Sequence, residues 1–456
     1  MNIRSKFEKY VILKKNKIKI SNKDIKKGDI FLALKGKNIH GSKFIQSSIK
    51  KGAKFCVTDN VKFANNKKVV FIENIIHYLI SLAKIKRKLY NGKVIGITGS
   101  AGKTTLKETL AFFLNKNYTI SYSQKSYNNE LGVLISLLNL DLKSSYSIFE
   151  IGTNNFGEIS HLTKIVKPSE IFITNIQSTH LENFRTKNNI AKEKSDIFKI
   201  NYNNQKRKLY INPVNKSEKL IYSKAKKEKH LKIICVNDDL KNFFIKKIVK
   251  KSTCYEVTLK ISKKVICLKF KFFTMFRLIN LLFCYAFFSE NALKTETITK
   301  YHKYLKPVEG RGLTHQVLFN NNKINIIDES YNANPDTMYQ SCEYFNNLPK
   351  DNNKKILILG NMNELGEDSD KIHLKLLKHI DKLSFKTIIL CGEFMQRSIK
   401  KLNNPRNEYF YLEDKNKIMN FLKKKVHNND TILIKCSNDT AVNKFTKELL
   451  KKGNIV

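Results

Sequence analysis

The sequence predicts an α/β protein of three domains, built on parallel sheets with helices between the strands. Short β-rich apolar runs alternate with stretches long enough for helices, which is the order found in wound parallel sheets. One such run ends at Gly99, and a polar loop and a segment with apolar residues at helical spacing follow it. A chain of 456 residues, 41% of them apolar, is long enough for about three domains with separate cores.

The strand pattern divides the chain into three regions. Residues 1–90 contain short strands at 30–34 and 53–59, which predict a small α/β domain. Residues 91–305 contain the polar loop and further strands at 146–151 and 170–175. Residues 306–456 begin beside Pro307 and predict a mainly parallel sheet covered on both faces. The strands expected there are 324–328, 355–360, 387–392 and 431–435.

The formal charge is +46, from 85 Lys and Arg against 39 Asp and Glu. A charge of this size is typical of proteins that bind nucleic acid or anionic membranes. Here the excess is spread along the whole chain, and it comes with many Asn, Ile and Phe residues and no Trp. We interpret it as the amino-acid bias of an AT-rich genome and expect no specific nucleic acid partner. A nucleic-acid-binding ATPase remains the alternative from another class.

Membrane insertion and export are not expected. The longest apolar stretch, 278–288, is shorter than the roughly 20 residues that a membrane-spanning helix needs. The amino terminus interleaves Lys with apolar residues and does not resemble a signal peptide. The eight cysteines are scattered singly, as expected of buried thiols in a reducing compartment. We therefore expect a cytoplasmic protein.

The polar loop after the strand has the features of a phosphate-binding loop. Backbone N–H groups at a glycine-rich turn that opens a helix can surround phosphate oxygens, and Lys103 supplies a positive charge. A hydroxyl such as that of Thr104 can coordinate Mg²⁺. The generic loop has a glycine where this chain has Ile97. The expected nucleotide-binding residues are Gly99, Ser100, Ala101, Gly102, Lys103, Thr104 and Thr105.

Three polar residues that follow this loop have two interpretations each when they are considered alone. Glu150 ends an apolar run and is either a turn residue or a Mg²⁺ ligand. His180 is either a surface histidine or a ligand. Lys194, in a lysine-rich chain, is either a solvated residue or part of a site.

The string ITGSAGKTT resembles the shortened nucleotide loop of the Mur ligases, which are ATP-dependent amide-forming enzymes of peptidoglycan precursor synthesis. Other matches run in order along the chain and resemble the subgroup that adds D-alanyl-D-alanine. They are YNNELGV (127–133), FEIGTNNFGEISHL (149–162), ITNIQSTHLENF (173–184), IAKEKSDIF (190–198), DESYNANPDTM (328–338) and ILGNMNELGEDS (358–369).

The resemblance implies a reaction and its substrates. ATP would phosphorylate the terminal carboxylate of UDP-MurNAc-tripeptide, and the amine of D-Ala-D-Ala would then attack the acyl phosphate. The related alternative is a Mur ligase that adds a single amino acid. The resemblance also implies that residues 1–90 bind the UDP-sugar end, that 91–305 form a central P-loop ATPase and that 306–456 form a Rossmann-like domain. It further implies Mg²⁺ and a bacterial cytoplasmic location, and we expect a monomer.

The resemblance assigns roles to particular residues. Thr104 and Glu150 would help hold one Mg²⁺ ion, and His180 would help hold a second. Lys194 would be carbamylated by CO₂, which converts an ammonium into an oxygen ligand suited to Mg²⁺. Lys103 and Arg311 would act on the phosphates, so that Lys103, Lys194, His180 and Arg311 form the catalytic set.

Other positions match nucleotide and substrate contacts of the family. Asn280 would lie beside the adenine, although alone it is equally a polar residue on a core helix. Either Asp328 or Glu329 would contact the ribose, or both carboxylates cap the following turn. The expected substrate-binding residues are Lys23, Asn128, Asn129, Glu130, Tyr331, Asn332, Asn334, Lys435 and Ser437.

The chain departs from the family pattern at three places. Ser21, Asn22 and Lys23 stand where Asp-Ser-Arg is usual, and Lys23 lacks the two-point donor geometry of arginine. Residues 274–277 lack the usual Gly-x-His-Asn, and Cys436 replaces a glycine, which we expect to shift its loop. The segment 403–406, Asn-Asn-Pro-Arg, is similar to a diaminopimelate-binding motif but lacks its Asp, and we interpret it as a chance loop.

Overall fold

The computed structural model gives the chain two compact units, and each is described by itself. Unit 1 comprises residues 1–175, 191–271 and 277–303, and unit 2 comprises 176–190, 272–276 and 304–456. The described residues are 2–14, 17–36, 38–202, 206–252, 254–271, 273–348, 354–452 and 454–455.

The elements alternate along the chain as the sequence predicts. The helices are α1 Ile3–Leu13, α2 Ile45–Lys50, α3 Ile75–Leu89, α4 Lys103–Leu114, α5 Glu130–Leu138, α6 Glu158–Val166, α7 Leu181–Phe184, α8 Lys187–Lys199, α9 Lys216–Ala225, α10 Met275–Glu290, α11 Glu296–Tyr301, α12 Pro335–Asn346, α13 Ser369–Ile380, α14 Glu393–Ile399, α15 Lys415–Lys425 and α16 Ala441–Lys452. The strands are β1 Ile18–Lys19, β2 Ile30–Leu32, β3 Phe55–Thr58, β4 Val69–Phe71, β5 Lys93–Thr98, β6 Ile120–Tyr122, β7 Tyr146–Glu150, β8 Glu170–Ile173, β9 Arg207–Ile211, β10 Leu231–Cys235, β11 Phe243–Lys250, β12 Tyr255–Ile261, β13 Lys264–Phe270, β14 Leu313–Phe319, β15 Asn322–Glu329, β16 Lys355–Gly360, β17 Thr387–Cys391, β18 Tyr409–Tyr411, β19 Thr431–Lys435 and β20 Asn454–Ile455.

Unit 1 begins with a small parallel sheet whose strand order is β1-β2-β3-β4 within the described ranges. Its core contains Phe31, Ile45, Cys56 and Val69, all nearly inaccessible to water. The two strands expected in this region correspond to β2 and β3, and the expected small α/β arrangement is confirmed.

The larger sheet of unit 1 is parallel throughout its described strands, in the order β10-β9-β8-β5-β7-β6. β5 therefore lies between β7 and β8. Because parallel strands bring their carboxyl ends to one edge, the residues that follow these three strands meet there. That edge carries the phosphate loop after β5, Glu150 at the end of β7, and Asn175 after β8.

An antiparallel sheet of β11, β12 and β13 also belongs to unit 1 and was not predicted. Its strands mix lysine with apolar residues. Val257, Leu259 and Leu268 are buried, whereas Val265 is 55% exposed. One face thus packs and the other is exposed, as is usual for antiparallel sheets.

Unit 2 contains a mixed sheet, ordered β18-β17-β16-β19-β15-β14-β20 in the described part of the chain. Strands β15 to β19 are parallel, as the sequence predicts, while β14 pairs antiparallel with β15 and β20. Separate apolar clusters contain Val317, Ile358 and Phe445 on one side and Met338, Leu359 and Leu377 on the other. The predicted α/β class is confirmed, and the boundaries proposed for three domains remain a prediction.

Among the helices in the described ranges, none is long and apolar enough to span a membrane.

Candidate active site

The phosphate loop joins β5 to α4 through two glycines with positive φ. Gly99 has a φ of +142°, and a Cβ there would lie 1.9 Å from Thr174 Oγ1. Gly102, with a φ of +82°, precedes the first residue of α4, which is Lys103. Because the first N–H groups of a helix have no acceptor within it, the start of α4 presents donors to an anion.

Lys103 Nζ donates to the carbonyl oxygen of Gly99 at 2.7 Å. The lysine side chain therefore lies over its own loop, where it adds positive charge to the N–H groups of the helix start. Ile97, which replaces the generic glycine, is buried within β5. Its position is part of the strand, so the shortened loop begins only at Gly99.

Glu150 is the acidic centre of the site in unit 1 and is 1% exposed. Its Oε2 accepts from Thr104 Oγ1 at 2.8 Å, and its Oε1 accepts from Asn128 Nδ2, also at 2.8 Å. Glu150 thus contacts both Thr104, the other predicted oxygen ligand, and Asn128, a predicted substrate-binding residue.

Lys107 is a buried cation behind this carboxylate that sequence reasoning missed. Its Nζ lies 3.9 Å from Glu150 Oε2 and donates to the carbonyl oxygens of Ser123 and Lys125. It therefore offsets the charge of Glu150 and also holds the backbone that leads to Asn128. Lys107 follows Lys103 by one helical turn, but in a lysine-rich chain nothing in the sequence distinguishes it from a solvated lysine.

Lys194 lies on α8 and is 2% exposed. Burial lowers its pKa well below the ordinary value, and the positive charge of Lys103 lowers it further, while Glu193 acts in the opposite direction. The interpretation as a solvated lysine is wrong. A buried lysine with a lowered pKa has an accessible neutral amine, which is the form that reacts with CO₂.

Glu193, beside Lys194, fixes this part of α8 and was also missed. Its carboxylate accepts from the backbone N–H of Gly157 and of Ile159, both at 2.9 Å, at the start of α6. A carboxylate at a helix start satisfies otherwise unpaired N–H groups and is stabilised by the helix dipole.

The donor set of unit 1 fits a Mg²⁺ ion that also binds phosphate. Thr104 and Glu150 supply oxygens, the ligand type that Mg²⁺ prefers. The described residues contain no cluster of three or more His, Cys, Asp or Glu side chains suited to a metal. Mg²⁺ commonly uses one or two carboxylates and takes its other ligands from substrate phosphates and water, so a sparse protein set is suitable.

Asn280 lies on α10 and is 5% exposed. Its Nδ2 has no hydrogen-bond partner in the described structure. A buried amide without a partner costs stability unless a ligand satisfies it. This observation favours the nucleotide-base role over that of a core residue.

The remaining predicted substrate residues of unit 1 occupy different settings. Asn129 caps α5 by accepting from Gly132 N–H at 2.9 Å, so its side chain already has a structural role. Glu130 Oε1 lies 2.7 Å from His161 Nε2 on α6. Lys23 is exposed, in a short 3₁₀ turn.

In unit 2, His180 lies 2.6 Å from Glu364, measured from Nδ1 to Oε2. The imidazole and the carboxylate are in direct contact, and they form an ion pair only when the ring is protonated. Contact with the imidazole lowers the pKa of Glu364 below its usual value. His180 has a φ of +52°, a conformation uncommon outside glycine, which is consistent with a functional position.

Arg311 and Tyr331 form a cation–π pair in unit 2, with the guanidinium carbon 4.3 Å from the ring centroid. Asp328 Oδ1 accepts from the backbone N–H and the hydroxyl of Ser330, at 3.0 and 2.7 Å. The turn-capping alternative therefore describes Asp328. Glu329 instead accepts from Lys435 Nζ at 2.8 Å, and Lys435 is 4% exposed.

The other residues of unit 2 that were predicted to bind substrate form hydrogen bonds near the ends of the strands. Ser437 Oγ accepts from Asn363 N–H at 2.9 Å. Asn334 caps α12 and donates to Gln177 Oε1 at 3.1 Å, and Asn332 Oδ1 accepts from the next backbone N–H.

Cys436 is buried opposite Gly360, where a Cβ would lie 2.7 Å from that of the cysteine. The missing side chain of Gly360 leaves room for the larger residue at 436. The segment 403–406 is tied to Asp381, which accepts from Arg406 N–H at 3.0 Å.

Comparison with known proteins covers most of the chain. Residues 16–94 match the model "Mur ligase family, catalytic domain", 97–288 match "Mur ligase middle domain", and 315–438 match "Mur ligase, glutamate ligase domain".

Among similar structures, MurF from Acinetobacter baumannii has a TM-score of 0.80 at 23% identity, covering 96% of this chain and 93% of its own. MurF ligase from Thermotoga maritima, in complex with ADP, has a TM-score of 0.75 at 24% identity, with coverages of 96% and 99%. At these identities the structures establish the fold.

Two similar sequences carry the name UDP-N-acetylmuramoyl-tripeptide--D-alanyl-D-alanine ligase. The Rickettsia prowazekii protein is 31% identical over 408 residues, covering 87% of each chain. The protein of Buchnera aphidicola subsp. Acyrthosiphon pisum is 29% identical over 454 residues, covering 96% of this chain and 94% of its own. With its phosphate loop, its buried Glu150 and this similarity along most of its length, the chain belongs to the UDP-N-acetylmuramoyl-tripeptide--D-alanyl-D-alanine ligase group of the Mur ligase family.

Proposed function

We propose that the chain joins D-alanyl-D-alanine to UDP-MurNAc-tripeptide at the expense of ATP, giving UDP-MurNAc-pentapeptide, ADP and phosphate. The observation that carries the proposal is the contact of Thr104, at the start of α4, with the buried carboxylate of Glu150. This contact places an oxygen pair directly beside a phosphate loop in a chain of this family. We place the reaction in the bacterial cytoplasm and assign it to a monomer.

The chemistry proceeds in two transfers. A carboxylate oxygen of the tripeptide attacks the γ-phosphorus of ATP, and ADP leaves. The amine of the dipeptide then attacks the carbonyl carbon of the acyl phosphate, and phosphate leaves with the former carboxylate oxygen while the amine loses a proton. Each step needs positioning and stabilisation of charge rather than a nucleophile from the protein.

The residues of unit 1 bind and orient the nucleotide in this proposal. The N–H groups at the start of α4 and the ammonium of Lys103 offset phosphate charge. The Nδ2 group of Asn280 donates a hydrogen bond to the nucleotide base. When bound, Mg²⁺ supplies Lewis-acid stabilisation of phosphate charge, and Thr104 and Glu150 would hold it.

Lys194 is proposed to carry a carbamate. Its neutral amine adds to CO₂ with loss of one proton, which replaces a buried ammonium with an anionic oxygen ligand. Three features support this assignment: the burial of Lys194, its lowered pKa, and the nearby positive charge of Lys103, which stabilises an anion.

Residues of unit 2 are proposed to serve the amine substrate and the nucleotide phosphates. Arg311 takes the phosphate role, and the Glu329–Lys435 pair and Ser437 line the edge at which the parallel strands end. His180 would hold a second metal ion, with Glu364 as the group that orients it.

The test is ADP release by the purified chain with Mg²⁺, ATP and UDP-MurNAc-tripeptide, with D-Ala-D-Ala, D-Ala or no donor. We expect turnover that depends on the dipeptide. Turnover only with a single amino acid would assign the chain to another step, and stimulation of ATP hydrolysis by nucleic acid alone would support the nucleic-acid-binding alternative.

A further inference from the structure

Asn175 contacts the phosphate loop from the end of β8, and none of the roles assigned above includes it. Its side chain forms a two-point pair with the backbone of Ala101. Ala101 N–H donates to Asn175 Oδ1 at 2.9 Å, and Asn175 Nδ2 donates to Ala101 O at 3.1 Å. The backbone carbonyl of Asn175 also accepts from Ser100 N–H at 2.9 Å.

Thr174 adds a second donor to the same carbonyl. Its Oγ1 donates to Ala101 O at 2.6 Å, and its N–H donates to Thr98 O at 3.0 Å. The absence of a side chain at Gly99 allows this close approach, since a Cβ there would overlap Thr174 Oγ1. The first half of the loop is thereby attached to β8.

This attachment determines the direction in which a loop amide points. In a trans peptide the C=O and the following N–H point in opposite directions. Because Ala101 O is held toward the end of β8 by two donors, the N–H of Gly102 points away from β8. The same contacts turn a carbonyl, which would repel phosphate, away from the anion site.

We propose that Asn175 is a positioning residue for the nucleotide: it holds the peptide between Ala101 and Gly102 in the orientation that binds phosphate. This inference rests on the proposed use of ATP and deepens it. The paired amide keeps the loop ordered before the nucleotide arrives, so that binding does not have to order it. Asn175 touches the loop and acts on the nucleotide only through it.

The chain offers a matched control in Asn139. Asn139 makes the same kind of two-point pair with a backbone, accepting from Ile18 N–H at 2.7 Å and donating to Ile18 O at 3.5 Å. Like Asn175, it is half-buried and belongs to unit 1, but it follows α5 and pairs with β1 rather than with the phosphate loop. Replacing either residue by Ala removes an equivalent pair.

The experiment measures ADP affinity in the presence of Mg²⁺ by titration calorimetry, and thermal unfolding, for the full chain and for Asn175→Ala and Asn139→Ala. We expect Asn175→Ala to weaken ADP binding about tenfold, equivalent to about 1.4 kcal/mol, and to raise the KM for ATP without a matching change for the tripeptide. Because each substitution removes an equivalent pair, Asn139→Ala should lower the unfolding temperature about as much as Asn175→Ala does. It should leave the affinity for ADP unchanged.

Equal ADP affinities in Asn175→Ala and the unaltered chain, within about twofold, would overturn the inference, as would equal losses in Asn175→Ala and Asn139→Ala. If Asn175→Ala does not fold, Asn175→Asp replaces it. The aspartate still accepts from Ala101 N–H but cannot donate to Ala101 O, so weaker ADP binding is expected and an unchanged affinity contradicts the role. If the unaltered chain itself does not bind ADP, the proposed function is contradicted. The results for the Asn175 and Asn139 variants bear only on the positioning role.

Discussion

Lys194 shows how far a single residue can depart from its expected environment. Its neighbours in sequence are charged or small, and the chain is rich in solvated lysines, so the sequence alone cannot indicate that it is 2% exposed. Only its place in the motif IAKEKSDIF led to a functional assignment. The burial that the structure shows supplies the physical reason for that assignment, because desolvation favours the neutral amine.

Substitution of this lysine tests the carbamate. Lys194→Ala should reduce dipeptide-dependent ADP release by about 100-fold, a loss typical of groups that support a metal site. A short carboxylic acid should restore part of the rate by occupying the vacated space, and it should not stimulate the unaltered chain. Lys192→Ala, an exposed change on the same helix, should retain full activity. No restoration with any short acid, from a folded variant, would contradict the carbamate.

His373 gives a pH dependence whose direction follows from its contacts. Met362 N–H donates to its Nε2 at 2.9 Å, so the ring must be neutral and Nδ1–H must donate to Ser369 O, at 2.7 Å. Burial lowers the pKa of His373 below its ordinary value of 6.5. The unfolded chain then binds more protons, so the stability that the neutral ring contributes is present above about pH 6.5. This contribution is lost as the pH falls through the pKa that His373 has in the folded chain.

We therefore expect the unfolding temperature of the unaltered chain to fall more steeply between about pH 6.5 and 5 than that of His373→Gln. Thermal unfolding followed by circular dichroism at both pH values, with pH 8 as the reference, measures the difference. Parallel pH profiles for the two proteins would show that His373 does not titrate in this way.

At the scale of elements, strands that follow one another at regular intervals were predictable and the antiparallel sheet was not. The runs that became β16, β17 and β19 are continuous apolar stretches, which are typical of strands buried on both faces. β11 to β13 mix lysine with apolar residues without a strict alternation, so the general lysine bias hides their strand pattern. The site elements were identified by motif and order, whereas Lys107, Glu193 and Asn175 act through contacts distant in sequence.

Helix α8 is held at its middle and at its carboxyl-terminal end. Glu193 accepts from two N–H groups at the start of α6, and Arg207, which is 1% exposed, donates to the carbonyl oxygens of Ile197 and Phe198. These contacts satisfy helix-end groups that would otherwise be unpaired. The position of Lys194 thus depends on the contact of its own helix with the start of α6 and on Arg207 of β9.

Removing one anchor should destabilise unit 1. Glu193→Ala leaves two N–H groups of α6 without their acceptor, and we expect a loss of about 1–3 kcal/mol in the free energy of unfolding. Denaturant unfolding measures it, with the exposed substitution Lys192→Ala as the control, expected within about 0.5 kcal/mol of the unaltered chain. Equal stabilities of the two variants would contradict the anchoring role.

For the molecule as a whole, the charge of +46 should act on the anionic substrates. The Debye length falls from about 10 Å at 0.1 M salt to about 3 Å at 1 M, so long-range attraction is screened as salt is added. We expect the KM for ATP and for the UDP-linked tripeptide to rise several-fold between about 0.05 and 0.5 M salt. The KM for the dipeptide, which carries no net charge, should change less. An equal rise for all three would indicate a general effect of salt on the fold.

The central claim is that the chain forms an amide through an acyl phosphate. Its most direct test uses UDP-MurNAc-tripeptide with ¹⁸O at both oxygens of the terminal carboxylate, together with ATP, Mg²⁺ and D-Ala-D-Ala, and follows the products by mass spectrometry. The account predicts a pentapeptide product and one ¹⁸O atom in each phosphate released. Phosphate without label, or a product that does not contain the dipeptide, would contradict it.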